Sequence, residues 1–188
     1  MIKCVILLTS LLLILPTSQA STSLQLEPTT GLIEGEPGDT VGWGFLLTNT
    51  ENFLVVTGAE FQSSTTHGTF TDFISAPENF FVVGSGTGAS SAWGQTFDFA
   101  NQTGIGSFRI ASDAAQGTIF GQIVLTYDLF ARSPFNPLFD PDTDTLANGN
   151  FLTANAFIKI NTVPIPPAVW LFGSALAGLG LIGKRRRI

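Results

Sequence analysis

Through the middle of the chain, apolar and polar residues alternate with a period of two. In TVGWGFLLTN (40–49), Val41, Trp43, Phe45 and Leu47 share one face, opposite Thr40, Gly42, Gly44, Leu46 and Thr48. In GTIFGQIVLTYDLF (117–130), Ile119, Ile123, Leu125, Tyr127 and Leu129 fall on one face with Gly121 among them. In FLTANAFIKI (151–160), Leu152, Ala154, Ala156, Ile158 and Ile160 alternate with Phe151, Thr153, Asn155, Phe157 and Lys159. This is the repeat of a half-buried strand. Shorter runs at 53–61, 79–83, 94–100 and 104–110 fit the same pattern. Turn-rich stretches separate them: GEPGD (35–39), SSTTHGT (63–69), GSGTGASS (84–91) and ASDAAQG (111–117). Helical periodicity is absent from this region, apart from one turn near 111–116. About eight strands without βαβ alternation predict an all-β fold: a single antiparallel β-sandwich, immunoglobulin-like or jelly-roll.

The two ends depart from this pattern. MIKCVILLTSLLLILPTSQA places Lys3 before an apolar stretch from Cys4 to Leu15, then Pro16, then the small residues Ser18 and Ala20 around Gln19. That is the anatomy of a secretory signal peptide over 1–20, with cleavage expected between Ala20 and Ser21. Cys4 precedes the apolar core, so it is not placed as a lipoprotein acylation site. At the other end, AVWLFGSALAGLGLIG (168–183) contains no charge. As a helix it would be about 24 Å long, a little short of a hydrocarbon core of roughly 30 Å. Lys184, Arg185, Arg186 and Arg187 follow and would hold that end in the cytoplasm, leaving the middle of the chain outside.

The order Val163-Pro164-Ile165-Pro166, then the apolar span, then the basic cluster resembles the PEP-CTERM sorting signal of bacterial exported proteins, in its VPLP-type variant. The resemblance covers residues 163–188: the proline motif at 163–167, the transmembrane helix at 168–183 and the basic cluster at 184–187. It implies recognition by an exosortase, removal of the helix, and passage from the inner membrane to the cell surface or the extracellular matrix. It further implies a structural or adhesive role linked to exopolysaccharide, and O-linked sugars on the Ser/Thr-rich loops 63–66 and 85–91. Ile165 stands where the eponymous motif has Glu.

Removing both ends leaves an extracytoplasmic domain at 21–162, long enough for one core. All 14 acidic residues lie in it, against Arg109, Arg132 and Lys159, giving a net charge of −11 with His67 neutral. Such a domain has no electrostatic basis for holding nucleic acid. The one cysteine, Cys4, leaves with the signal peptide, so the mature domain has neither disulfide nor thiolate chemistry. The stretch GEPGDTVGWGFLLTN also resembles the opening strands of many bacterial extracellular sandwich modules.

Candidate sites are few. His67 is the single histidine, in a Ser/Thr/Gly loop, and is read as a solvated residue. Asp140, Asp142 and Asp144 follow the alternating-oxygen spacing that Ca²⁺ prefers, with Asn148 and Asn150 beyond. Yet Thr145 and Phe151 occupy the positions where an EF-hand needs Gly and Glu, and a solvated acidic hairpin or Asx-turn loop is the alternative reading of this stretch. Trp43 is expected in the core, and Trp93, after a Gly/Ser loop, is the candidate exposed platform for a sugar. These features leave a carbohydrate- or Ca²⁺-binding module as one alternative. A carboxylate-dependent glycoside hydrolase is a second, although no acid stands in a recognisable catalytic motif. The expectation is therefore a protein that is not an enzyme and carries no cofactor.

Overall fold

The computed structural model describes residues 22–161 apart from 51, 65–66, 76, 78 and 87–90, together with residues 171, 172 and 174. In chain order the strands are β1 (Thr22–Glu27), β2 (Leu32–Gly35), β3 (Thr40–Asn49), β4 (Phe53–Ser63), β5 (Gly68–Asp72), β6 (Val82–Val83), β7 (Ala92–Gln95), β8 (Gly106–Ile110), β9 (Gly117–Phe130) and β10 (Thr145–Ile160). A one-turn helix, α1 (Pro141–Asp144), precedes β10. The first sheet runs β1-β3-β8-β5, and the second β2-β10-β9-β4-β6. Strand β7 pairs with residues 45–48 of β3, which pair on their other edge with β1. So β7 and β8 lie on the same side of β3, as one broken strand interrupted at 96–105.

The alternation read from the sequence decides which faces meet. Trp43, Phe45 and Leu47 of β3 point inward with Asn49, whereas Leu46 is exposed. Ile119, Ile123, Leu125 and Tyr127 of β9 and Ala156, Ile158 and Ile160 of β10 close the core from the second sheet. Fully burying a side chain of this size contributes roughly 1.5–3 kcal/mol. Aromatic rings lock the layers together: Phe61 packs 5.3 Å from Trp43 and 5.5 Å, edge-on, from Phe108.

The sandwich is not wholly antiparallel. Strand β2 runs parallel to β10, with Leu32 opposite Phe157 and Gly35 opposite Ile160. The reason lies in the segment that joins β1 to β2. The chain turns at Pro28, Gly31 N donates to Pro28 O at 2.8 Å, and Gly31 takes φ +68°. The chain thereby leaves the first sheet after β1 and enters the second as β2, keeping its direction. Other differences are local. Residues 68 and 69, expected in a connection, open β5, and residues 145–150 open β10. The run 79–83 shortens to the two residues of β6, and 94–100 contributes only its beginning to β7. The turn at 36–39 forms as expected, closed by Asp39 N to Glu36 O and by Glu36 N to Asp39 Oδ2.

Candidate functional site

The residues singled out in the sequence do not converge. Asp140 caps α1, its carboxylate accepting from Asp142 N at 3.0 Å. Asp144 is buried, accepts from Asp140 N at 2.9 Å and lies 3.5 Å from the Arg132 guanidinium. Two of the three carboxylates thus hold the 131–144 connection together. Among the described residues, no group of three or more His, Cys, Asp or Glu is placed to hold a metal ion. In this structure the alternating spacing serves a helix cap and an ion pair, the Asx-turn arrangement that is the alternative reading of this stretch.

Trp93 is not an exposed platform. It is 8% exposed, stacked 4.7 Å from Phe81 and set edge-on 5.0 Å from Phe45. The pairing of β7 with β3 turns this ring toward the core. His67 is exposed, and its backbone carbonyl accepts from Ala111 N at 2.8 Å. A depression of about 390 Å³ holds the carboxylate of Asp72, but no second acid lines it among the described residues. The Asp72 oxygens accept from Ala59 N, Ile74 N and the Ser75 hydroxyl. The signal segment, Ser21, Val163, Pro164, Pro166 and the basic cluster 184–187 lie outside the described residues. Among those described, no helix is long and apolar enough to cross a membrane.

A different group of residues comes together on the outer face of the second sheet. Its position follows from strand register. Gln62 of β4 pairs with Gln122 of β9, which pairs with Asn155 of β10, so three amides form one row across three adjacent strands. In the next row Phe120 pairs with Phe157, ring centroids 5.7 Å apart and edge-on, and Leu32 of β2 flanks Phe157. Phe120 is 67% exposed although it lies in a central strand. Gln122 Nε2 donates to Gln62 Oε1 at 3.4 Å, and Gln62 Nε2 donates to Glu60 Oε2 at 3.3 Å. Among the described residues this leaves the Gln122 carbonyl and the Asn155 amide without a protein partner.

The row lies in a furrow. One shallow depression of about 440 Å³ contains Gln62, Phe120, Gln122 and Asn155. A second, of about 290 Å³, opens between β1 and β10 at the side of the sandwich and contains the core-packed Leu24, Leu26 and Ala154 as well as Gln25, Asn155 and Phe157. The two share Asn155. Adjacent strands are about 4.8 Å apart, so the row from Gln62 through Gln122 to Asn155 alone spans about 10 Å. No charged residue lines either depression among the described residues, in a domain where acids outnumber bases by 14 to 3.

Two carboxylates elsewhere in the domain have shifted titrations. Glu34 on β2 accepts from Lys159 Nζ at 3.0 and 3.1 Å and from Asn161 Nδ2 at 3.3 Å. The Lys159 hydrogen bond, then that of Asn161, holds the Glu34 carboxyl below its ordinary value. Asp98, in the 96–105 excursion, is also held below its ordinary value, chiefly by the Asn101 side chain and then by the Asn101 and Ala100 amides. The sequence did carry a sign of the site: Phe120 and Phe157 occupy positions that alternate with the core face, where a solvated strand places polar residues. The row of amides was not legible, since it depends on the register of three strands.

No protein-family model matches the chain, and no curated protein does. Among solved structures, one similar chain is WR4, an MSP family member of C. elegans, at 10% identity and a TM-score of 0.35. It covers 73% of this chain and 97% of its own. Another is a chain of a CaDoc0917–CaCohA2 complex, at 19% identity and a TM-score of 0.32, covering 75% of this chain and 100% of its own. Likeness at this level bears on neither ligand nor partner.

Proposed function

We propose that this chain is an exported, non-catalytic binding module of the bacterial envelope, sorted through its C-terminal tail by an exosortase and displayed at the surface or in the matrix in a structural or adhesive role. The observation that carries the reading is the uncharged amide-and-phenylalanine furrow on the face of an otherwise acidic sandwich. Such a surface offers hydrogen bonds and apolar contact with no group placed as nucleophile, acid or base. The export half rests on the sequence at both ends. Strand β10 ends at Ile160, so the proline motif at 163–167 follows the last core residue after two positions.

Immunolabelling of intact cells tests this reading. Label on the cell surface or in the matrix is expected, and its displacement on deletion of residues 163–188. Recovery of the protein in the cytosol with residues 1–20 still attached would contradict it.

A further inference from the structure

We infer that the furrow on the second sheet is a binding site for a neutral glycan chain lying across β4, β9 and β10, with Gln62, Gln122 and Asn155 addressing its hydroxyls and Phe120 and Phe157 contacting its apolar C–H faces. This rests on the reading of the molecule as a binding module, and it names the ligand class for that surface.

Charge narrows the choice first. A domain with a net charge of −11 repels polyanions, and the furrow offers no cation to hold one. A cationic ligand would find no carboxylate in the lining either. The lining thus favours a ligand with no formal charge.

Backbone chemistry narrows it next. An extended peptide adds to a sheet through the free backbone groups of an edge strand. Over β4 and β9 the site instead crosses a sheet face, where β9 is paired on both sides, with β4 and with β10. A peptide would find no ladder on that face, so recognition there comes from side chains. In the depression over β4 and β9 the side chains offered are amides and hydroxyls, each able to donate and accept, beside an exposed aromatic ring. A sugar presents the complementary surface, with hydroxyls around its rim and C–H bonds on its face. A shallow, open depression, in place of an enclosed cavity, suits a chain better than a single small molecule.

The unpaired groups agree with this. Gln122 is oriented by its bond to Gln62, which leaves its carbonyl free as an acceptor next to the Asn155 amide. A donor–acceptor pair on adjacent strands, about 5 Å apart, can address two neighbouring hydroxyls.

The test is native electrophoresis of the mature protein through gels containing soluble polysaccharides. Neutral gels would carry dextran, galactomannan, arabinoxylan or hydroxyethylcellulose, and the anionic gel polygalacturonate. Retardation by at least one neutral polysaccharide is expected, with none by polygalacturonate. Gln122→Ala and Asn155→Ala should each weaken retention roughly tenfold, as for one lost net hydrogen bond, and Phe120→Ala by a similar factor. Glu36→Gln, on the turn before β3, should leave it unchanged. All these positions are at the surface, and unchanged melting curves will show that the variants are folded. Retardation by no neutral polysaccharide, by polygalacturonate alone, or equally in wild type and all three furrow variants would overturn the assignment. The cell-surface labelling described above is independent of this result. An exported protein that ignores neutral glycans sinks the ligand class alone, and a glycan-binding protein found in the cytosol sinks the export reading alone.

Discussion

The carbonyl of Gly31 accepts two hydrogen bonds, from Trp43 Nε1 at 2.7 Å and from Phe157 N at 2.9 Å. It ties the central strand of the first sheet to the last strand of the second, at the point where the chain passes between them. With φ at +68° and the Asn155 carbonyl where a methyl group would sit, the position tolerates glycine alone. Gly31→Ala should therefore destabilise the domain by about 3 kcal/mol or more, read from chemical denaturation. Trp43→Phe keeps most of the ring volume and removes the indole donor, for an expected loss of about 2 kcal/mol. Asn49 plays a comparable part at the far end of β3: it is fully buried, accepts from Thr22 Oγ1 at 3.1 Å and donates to the carbonyls of Asn52, Val83 and Gly84. The alternation of β3, carried one step beyond Leu47, places it on the inner face. Its polar side chain hid that role, because its partners come from a loop and from the short strand β6.

At the scale of elements, β3, β9 and the second half of β10 were legible because each buries one whole face, and a period of two is then unavoidable. Strands β1, β2 and β5 were not picked out. Each is short, and β1 and β5 are edge strands whose boundaries are set by pairing with β3 and β8. The aspartate spacing was legible as a pattern, and α1 uses Asp140 as its cap and Asp144 as the partner of Arg132. Asp140→Ala should cost about 1 kcal/mol of stability, as a lost helix cap. Because protein groups already satisfy this connection, chelation should leave the melting temperature of the wild type unchanged, and calorimetry with and without EDTA checks this. The parallel pair β2–β10 is clipped by Glu34 and Lys159. Since the folded-state pKa of Glu34 is depressed, its contribution is fully present above the ordinary carboxylate value. It is lost as pH falls through the folded value. Asp98 acts in the same direction. Acid unfolding of Glu34→Gln should accordingly show a shallower loss of stability below the ordinary carboxylate range than the wild type.

At the scale of the whole molecule, the second sheet sets the distance between the outer-face depression and the end of the last strand. Strand β10 is about 50 Å long at roughly 3.3 Å per residue, and the chain leaves it at Ile160 toward the tail. The 131–144 connection stands at the opposite end, where Phe80 packs edge-on 5.5 Å from Phe135 and Leu138 is exposed. Asn155 lies five residues before Ile160, so the furrow is about 17 Å along the strand from where the tail departs. The composition of the chain conveyed the acidic, disulfide-free character of the domain, while the row of amides emerged only once the strands were in register. The central claim, that the sandwich is an exported module cut from its tail, is tested most directly by the intact mass of the protein from cells with and without the exosortase. The account predicts a species beginning at Ser21 and ending near residues 163–167 when the enzyme is present, and one that retains the tail to Ile188 when it is absent. A mass that includes residues 168–188 in both strains would contradict it.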